Sequence, residues 1–225
     1  MLLEEPKIKI VPGIYNVYKP QGWTSFDVVN KMKRMSVDKK IGHAGTLDPM
    51  ATGVLIVAVG RVYTKQISQF MEKKKGYLAE ITLGITTDSY DLEGKIISMK
   101  QVDPINKKDI SSILNNYRGN IMQKPPIYSA LKKDGKKLYQ YARKNQEVEI
   151  EERPVSIYEL ELLDFKNNKY PKLIIKTMVS KGTYIRSLAY DIGKDLGVGA
   201  VLSGLCRYCI GDYNVEDAKS LDQFY

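Results

Sequence analysis

Twelve residues, Gly42-His43-Ala44-Gly45-Thr46-Leu47-Asp48-Pro49-Met50-Ala51-Thr52-Gly53, run without a break into Val54-Leu55-Ile56-Val57-Ala58-Val59. No other stretch constrains the chain as tightly. Pro49 fixes its own φ and pushes Asp48 out of the helical region, so the backbone has to turn there. Gly42, Gly45 and Gly53 let the backbone bend and let another group approach closely. The six apolar residues behind them read as a buried strand. The chain's single histidine, His43, lies in the same stretch. A carboxylate is thus presented on a stiff loop at the start of a rigid strand, an arrangement suited to an active site. An ordinary Asp-Pro turn has the same spacing, and the stretch alone does not choose between the two.

The flanking pattern is that of an α+β chain. Residues 13–19 alternate apolar and polar side chains as a strand does. Lys19-Pro20-Gln21-Gly22-Trp23 makes a turn. Thr24 or Ser25 then caps a helix to about residue 35, with Phe26, Val29, Met32 and Met35 on one face. A short helix is expected from Arg61 to Phe70. Tyr77, Ala79, Ile81 and Leu83 share one face of a half-buried strand. Asp88, Asp91, Glu93 and Gly94 form an acidic turn. It looks like a loose metal loop but lacks the EF-hand ligand spacing, which favours a solvated turn. A strand at 94–99 and a helix at 105–117 follow, the latter starting after Pro104. Strands are expected at 155–165, with Tyr158, Leu160 and Leu162 opposite Glu159 and Glu161, and at 171–181. Ile185, Leu188, Ala189, Ile192 and Leu196 then form the buried stripe of a helix. The tail, 198–225, reads as a Gly-rich turn and a short helix near Asp217-Ala218. No repeat or long linker appears, so residues 1–225 are expected to form a single domain.

Charge indicates the partner class. Lys and Arg number 35 against 26 Asp and Glu, a formal net charge of +9 with a pI near 9.3. Such an excess favours a polyanion, nucleic acid first and an anionic membrane second. No segment is apolar for long enough to span a membrane, and the N-terminal MLLEEPKIKI has acids where a signal peptide needs bases. Two cysteines make no disulfide framework, so the cytoplasm is the expected compartment. Cys206-Arg207-Tyr208-Cys209 is a lone CxxC. With only His43 as a further soft ligand it falls short of a zinc site, and it lacks the setting of a redox motif. In residues 132–144, Lys132, Lys133, Lys136, Lys137, Arg143 and Lys144 face only Asp134, interleaved with Tyr139 and Tyr141 and preceded by Tyr128. Cations to neutralise phosphates and rings to stack on bases suit nucleic acid. A solvated helix with inward tyrosines has the same composition. Arg186 falls in the first turn of its helix, where a cation opposes the dipole unless an anion sits beside it. A snorkelling surface arginine is the alternative.

The stretch Gly42 to Leu55 closely resembles the signature of the TruB family of transfer-RNA pseudouridine synthases. Other family blocks stand in order: Lys19-Pro20 with Gly22, Thr24 and Ser25; Lys75-Gly76-Tyr77; Pro125-Pro126 with Tyr128 to Lys132; Asp134-Gly135 with Leu138-Tyr139 and Ala142-Arg143; and Ser180 to Leu188. The resemblance covers about residues 12–212. It implies a mixed, largely antiparallel central sheet flanked by helices and loops. It also implies isomerisation of the T-arm uridine at position 55 of transfer RNA, by base flipping, C1′–N1 cleavage, rotation and rejoining through C5. No metal or organic cofactor is implied, and the protein is expected to act as a monomer.

The same resemblance implies roles for individual residues. Asp48 is the catalytic carboxylate, as nucleophile or as the base that removes the C2′ proton. Arg186 pairs with it and keeps it charged. Tyr77 stacks on the base and assists proton transfer. His43, Tyr184 and Leu205 contact the flipped uridine or the RNA beside it. Residues 124–152 match an inserted thumb that closes on the T-arm. Lys19, Lys132, Lys133, Lys136, Lys137 and Arg143 are the expected RNA-binding cations. The sequence departs from the family pattern at Val201-Leu202, where His-Leu is usual, and at Cys206-Arg207, where paired arginines are usual. A C-terminal PUA-type RNA-binding domain is expected to be missing. A non-catalytic RNA-binding or RNA-folding factor on the same scaffold is the competing function. A hydrolase built on Asp48 is weaker, because no second carboxylate or metal set stands out to activate water.

Overall fold

A computed structural model describes residues 10–224. The acidic N-terminal stretch read from the sequence lies outside the described residues, apart from Ile10. The described residues fall into two compact units. One combines residues up to Tyr77 with those from Leu205 onward, and the other is Leu78–Gly204. No helix among them is long and apolar enough to cross a membrane.

The first unit is built on the strand Thr52–Val59. The strand behaves as its apolar run predicts, with every residue from Gly53 to Val59 buried. It pairs antiparallel with Gly13–Lys19, from Gly13 opposite Val59 to Lys19 opposite Gly53. It also pairs antiparallel with the short strand Ile41–Ala44. Its first residues meet the strand Ala200–Ile210 in parallel, with Cys206 opposite Thr52 and Arg207 opposite Gly53. Alternate side chains point to opposite faces. Leu55, Val57 and Val59 join Val17, Val28, Met32, Leu221 and Phe224 in one cluster, while Val54 and Ile56 join Ala44, Phe70 and Ile210 in another. Each such side chain contributes about 1.5–3 kcal/mol when fully buried, so this strand anchors the unit from both sides.

The helix Ser25–Met35 begins at Thr24. The Thr24 hydroxyl accepts from the Asp27 amide at 3.1 Å, and the Asp27 carboxylate accepts from the Thr24 amide at 2.8 Å. This reciprocal cap satisfies donors that the first turn would otherwise leave open. The buried face is Val28, Val29 and Met32, whereas Phe26 is 65% exposed. Phe26 therefore departs from the expected stripe, and Val28 takes its place. The single expected helix of 61–70 is two short ones, Arg61–Thr64 and Ile67–Glu72.

In the second unit the long strand Arg153–Lys166 pairs antiparallel with Lys172–Val179 on one side and with Gly119–Gln123 on the other. The part of Lys75–Leu83 that belongs here lies beside Lys172–Val179. Helix Lys107–Asn116, capped by the Asn106 side chain at 2.9 Å, packs on Arg153–Lys166 and on helix Ile185–Asp195. The apolar stripe of Ile185–Asp195 is buried at Ile185, Leu188, Ala189 and Ile192, as its spacing predicts, while Leu196, expected in the same stripe, follows the helix and is half-buried. Tyr158 is 47% exposed, not inward-facing beside Leu160. A register shift between Ile157 and Glu159 breaks the alternation there. Pairing throughout both units is largely antiparallel, in keeping with the expected α+β class.

The largest departure lies in the tail. Residues 198–225 were expected as a turn and a helix, but Ala200–Ile210 is an eleven-residue strand. Only the 3-10 turn Val215–Asp217 falls near the expected helix. Gly53 shows how tightly this strand is fitted. Its φ is +101°, and a Cβ there would lie 2.3 Å from the Arg207 carbonyl oxygen. Gly53→Ala is expected to cost at least about 2 kcal/mol, through backbone strain together with the clash. Chemical denaturation measures this, and an unshifted midpoint would contradict the fit.

Candidate active site

The Asp48 loop is held at three successive residues. Ser25, 1% exposed, does not cap its helix; its hydroxyl accepts from the Leu47 amide at 2.8 Å and donates to the Leu47 carbonyl at 3.2 Å. The Asp48 carbonyl accepts from the Ala51 amide at 3.0 Å, closing the turn. The Pro49 carbonyl accepts from the Gly22 amide at 2.9 Å and from the Lys19 ammonium at 3.2 Å. The peptide carrying the carboxylate is therefore fixed by backbone and buried side-chain bonds. Such bonds hold a reactive group within the narrow tolerance that chemistry requires.

Lys19 was expected to contact RNA, and here the structure corrects the sequence. Its side chain is fully buried, and its ammonium donates to the carbonyls of Pro20, Trp23 and Pro49. It braces the turn at 20–23 against the loop and is not a surface cation. The two-proline, glycine-bounded surroundings supply the carbonyls that make this burial affordable.

Arg207 braces the other side. It is 1% exposed, and its guanidinium donates to the Val54 carbonyl at 2.8 Å and to the Gly45 carbonyl at 3.0 Å. The two acceptors bracket the Asp48 loop in sequence. Burial pushes the pKa of His43 below its ordinary value and the Arg207 charge lowers it further, while a hydrogen bond to the Gly45 backbone opposes them. These surroundings favour the neutral imidazole over its cation. On the neighbouring strand Tyr77 is 8% exposed, and the Lys75 ammonium donates to the carbonyls of Met71 and Lys73 at 2.7 Å. Gly76 has no room for a side chain, since a Cβ would lie 2.3 Å from the Tyr208 ring and 2.7 Å from the Cys209 sulfur. Leu205 is half-buried, and its carbonyl lies 3.4 Å from the Thr52 hydroxyl. Cys206 is partly exposed and Cys209 buried, neither in a disulfide.

In the second unit Arg186 is 6% exposed, which rules out the snorkelling alternative. Its guanidinium lies 3.3 Å from the Asp91 carboxylate and donates to the carbonyls of Ser89 at 3.1 Å and Tyr128 at 2.9 Å. Asp91 was read as part of a solvated acidic turn, yet it is 3% exposed. Its carboxylate accepts from the Ser89 hydroxyl at 2.6 Å and from the Glu93 amide at 3.0 Å. The turn is a receptor for Arg186. The anion that its helix position calls for is present, and no spacing in the turn distinguishes Asp91 from Asp88 or Glu93. Tyr184, half-buried, precedes the same helix.

The basic segment forms a two-residue hairpin, with Lys132 opposite Lys137 and Lys133 opposite Lys136. Asp134 at φ +51° and Gly135 at φ +77° make its turn. The helix Leu138–Ala142 follows. Lys132, Lys136, Lys137 and Arg143 are exposed, and Lys133 is partly buried with its ammonium donating to the Glu149 carbonyl. Lys137 and Arg143 flank the Tyr139 ring at 5.6 and 5.1 Å, and Lys136 lies 6.0 Å from the Tyr141 ring. Opposed like charges are unfavourable in a hairpin, so a polyanion bound here would relieve them.

Residues 33–185 match the N-terminal domain of the TruB family of pseudouridylate synthases. The chain belongs to that family. Over 204 residues it is 50% identical to tRNA pseudouridine synthase B of Fusobacterium nucleatum, covering 91% of this chain and 69% of that protein. It is 48% identical to the protein of the same name from Desulfotalea psychrophila, covering 92% of this chain and 85% of that one. Among solved structures, a chain of a Cbf5-Nop10-Gar1 complex superposes with a TM-score of 0.73 at 28% identity over 95% of this chain; this chain spans 54% of that one. The fold is thus that of a pseudouridine synthase, and the chain is an enzyme of that class. Asp91→Asn removes a buried countercharge from Arg186, a change that costs about 3–5 kcal/mol where one partner of a buried pair is lost. Urea unfolding is expected to show that loss, and an unchanged midpoint would contradict the pairing.

Proposed function

We propose that the protein isomerises uridine to pseudouridine at position 55 in the T-arm of tRNA. The observation that carries this reading is the Asp48 carboxylate, set on a peptide pinned by the Ser25, Ala51, Gly22 and Lys19 bonds. A uracil stacked within the loop is out of reach, so the nucleotide is flipped into the site. The C1′–N1 bond breaks and a C1′–C5 bond forms. The C5 proton leaves, and N1 regains one, so the base changes its attachment but not its composition. Asp48 acts as nucleophile or removes the C2′ proton. By the family resemblance, Arg186 is assigned the part of favouring the charged form of the carboxylate. Tyr77 stacks on the base and assists the proton transfer at C5. Tyr184 and Leu205 are assigned to contact the flipped uridine, and His43 to contact the RNA beside the vacated position.

The exposed cations of the hairpin and the following helix, Lys132, Lys136, Lys137 and Arg143, support a thumb that engages phosphates while Tyr139 and Tyr141 offer stacking faces. The protein works in the cytoplasm, as a monomer, without a metal or organic cofactor.

A tritium-release assay on 5-[³H]uridine-labelled transfer RNA tests the reading. Wild-type protein is expected to release the label, and Asp48→Asn to lose turnover by at least about 1000-fold while binding RNA nearly as well. RNA binding without release by the wild type would favour the non-catalytic factor. Near-normal release by Asp48→Asn would remove the role given to that residue.

A further inference from the structure

Where the chain leaves the strand Gly119–Gln123 for the basic insertion, Gln123 is 2% exposed. Its side-chain amide makes a two-point bond to the backbone of one residue. Nε2 donates to the Tyr184 carbonyl at 3.1 Å, and Oε1 accepts from the Tyr184 amide at 2.8 Å. Tyr184 is the extended residue before the helix that carries Arg186, and no side chain of its own caps that helix. Three further bonds follow the same seam. The Ser187 hydroxyl donates to the Lys124 carbonyl at 2.7 Å. Arg186 donates to the Tyr128 carbonyl at 2.9 Å. The Tyr128 hydroxyl in turn donates to Asp88 at 3.2 Å.

The root of the insertion, residues 123, 124 and 128, is therefore stitched to the first helical turn at residues 184, 186 and 187. A side chain serving only to fill space would not need an amide. Gln123 uses both its donor and its acceptor on the two peptide groups that flank one residue, Tyr184, which fixes the position and the direction of the chain entering the helix. We infer that Gln123 is a positioning residue, setting Tyr184 and the Arg186 guanidinium relative to the root of the RNA-binding insertion. RNA engagement by the insertion and the placement of Arg186 are thereby one mechanical event. This inference rests on the isomerase reading, with Arg186 in its site.

Gln123→Glu tests it with a signature that a packing role would not give. As a carboxylate, the new side chain still accepts from the Tyr184 amide but sets a second acceptor against the Tyr184 carbonyl. As a carboxylic acid, it donates there and restores both bonds. Burial and the facing carbonyl both raise its pKa above the ordinary carboxylate range. Tritium release and RNA binding are measured for the full chain from pH 5.5 to 8.5, with wild type alongside. At the alkaline end kcat of Gln123→Glu is expected to fall about 100-fold, the scale of a small misplacement of a reacting group. KM is expected to move no more than about threefold. The variant-to-wild-type ratio of kcat should climb as pH falls. Gln123→Met, which removes both bonds, should be impaired with a ratio flat in pH. If that variant does not fold, the Gln123→Glu ratio decides alone. A Gln123→Glu ratio near one, or independent of pH, would overturn the inference while leaving wild-type release intact. Absence of release by wild type would instead overturn the isomerase reading, and this inference with it.

Discussion

The hydrogen bonds from the buried Arg207 guanidinium to the carbonyls of Gly45 and Val54 are what the first unit's site depends on. A guanidinium cannot shed its proton, so its burial has to be compensated by acceptors in fixed directions. Those acceptors sit at the two ends of the segment that holds Asp48. The loop is therefore closed by a cation beneath it. The same residue contributes its own backbone: its carbonyl occupies the space where Gly53 would carry a Cβ, which is why that position takes φ +101° and a glycine. Its charge also lowers the pKa of His43, after burial. One side chain thus joins loop closure, strand register and the protonation of the neighbouring imidazole. Ser25 and Lys19 complete the hold from the helix start and the preceding turn.

The second unit solves a similar problem differently. Arg186 is buried too, but it has a carboxylate, Asp91, at 3.3 Å as well as two carbonyl acceptors. Asp91 is itself oriented by the Ser89 hydroxyl and the Glu93 amide. Tyr90, at the centre of this turn, has φ +66°, a conformation that a tyrosine adopts only when its surroundings impose it. Its ring stacks on Tyr190 with centroids 4.1 Å apart, and its carbonyl accepts from the Leu202 amide at 3.0 Å. The strained turn is thus pinned at ring and backbone, and the receptor for Arg186 is pre-formed.

What could be read from the sequence was what repeats or punctuates. The apolar run at 54–59, a helix cap at Thr24 or Ser25 and the stripe from Ile185 to Ile192 follow from periodicity and capping chemistry. Pro49 and the flanking glycines marked the Asp48 loop as a candidate, and the ordered blocks marked the family. What escaped depends on partners distant in the chain. The strand Ala200–Ile210 carries a buried arginine and two cysteines, so its pattern does not alternate cleanly. Lys19 looks like any surface lysine until three carbonyls surround it. Asp91 is one of three acids in a polar turn, distinguished only by an arginine 95 positions later. Gln123 ends an unremarkable strand, and its bond to Tyr184 spans 61 residues. Phe26 and Tyr158 satisfy a periodic pattern yet face outward, because the helix buries Ser25, Val28, Val29 and Met32 instead and the strand's register shifts between Ile157 and Glu159.

The proposed reaction changes the linkage of one particular uridine. Carbodiimide modification followed by primer extension locates pseudouridine, and an unmodified tRNA transcript incubated with the protein is the substrate. One new reverse-transcription stop is expected, reporting position 55 of the T-arm and absent when Asp48→Asn replaces wild type. A transcript without any new stop, or with its stop at another uridine, would contradict it.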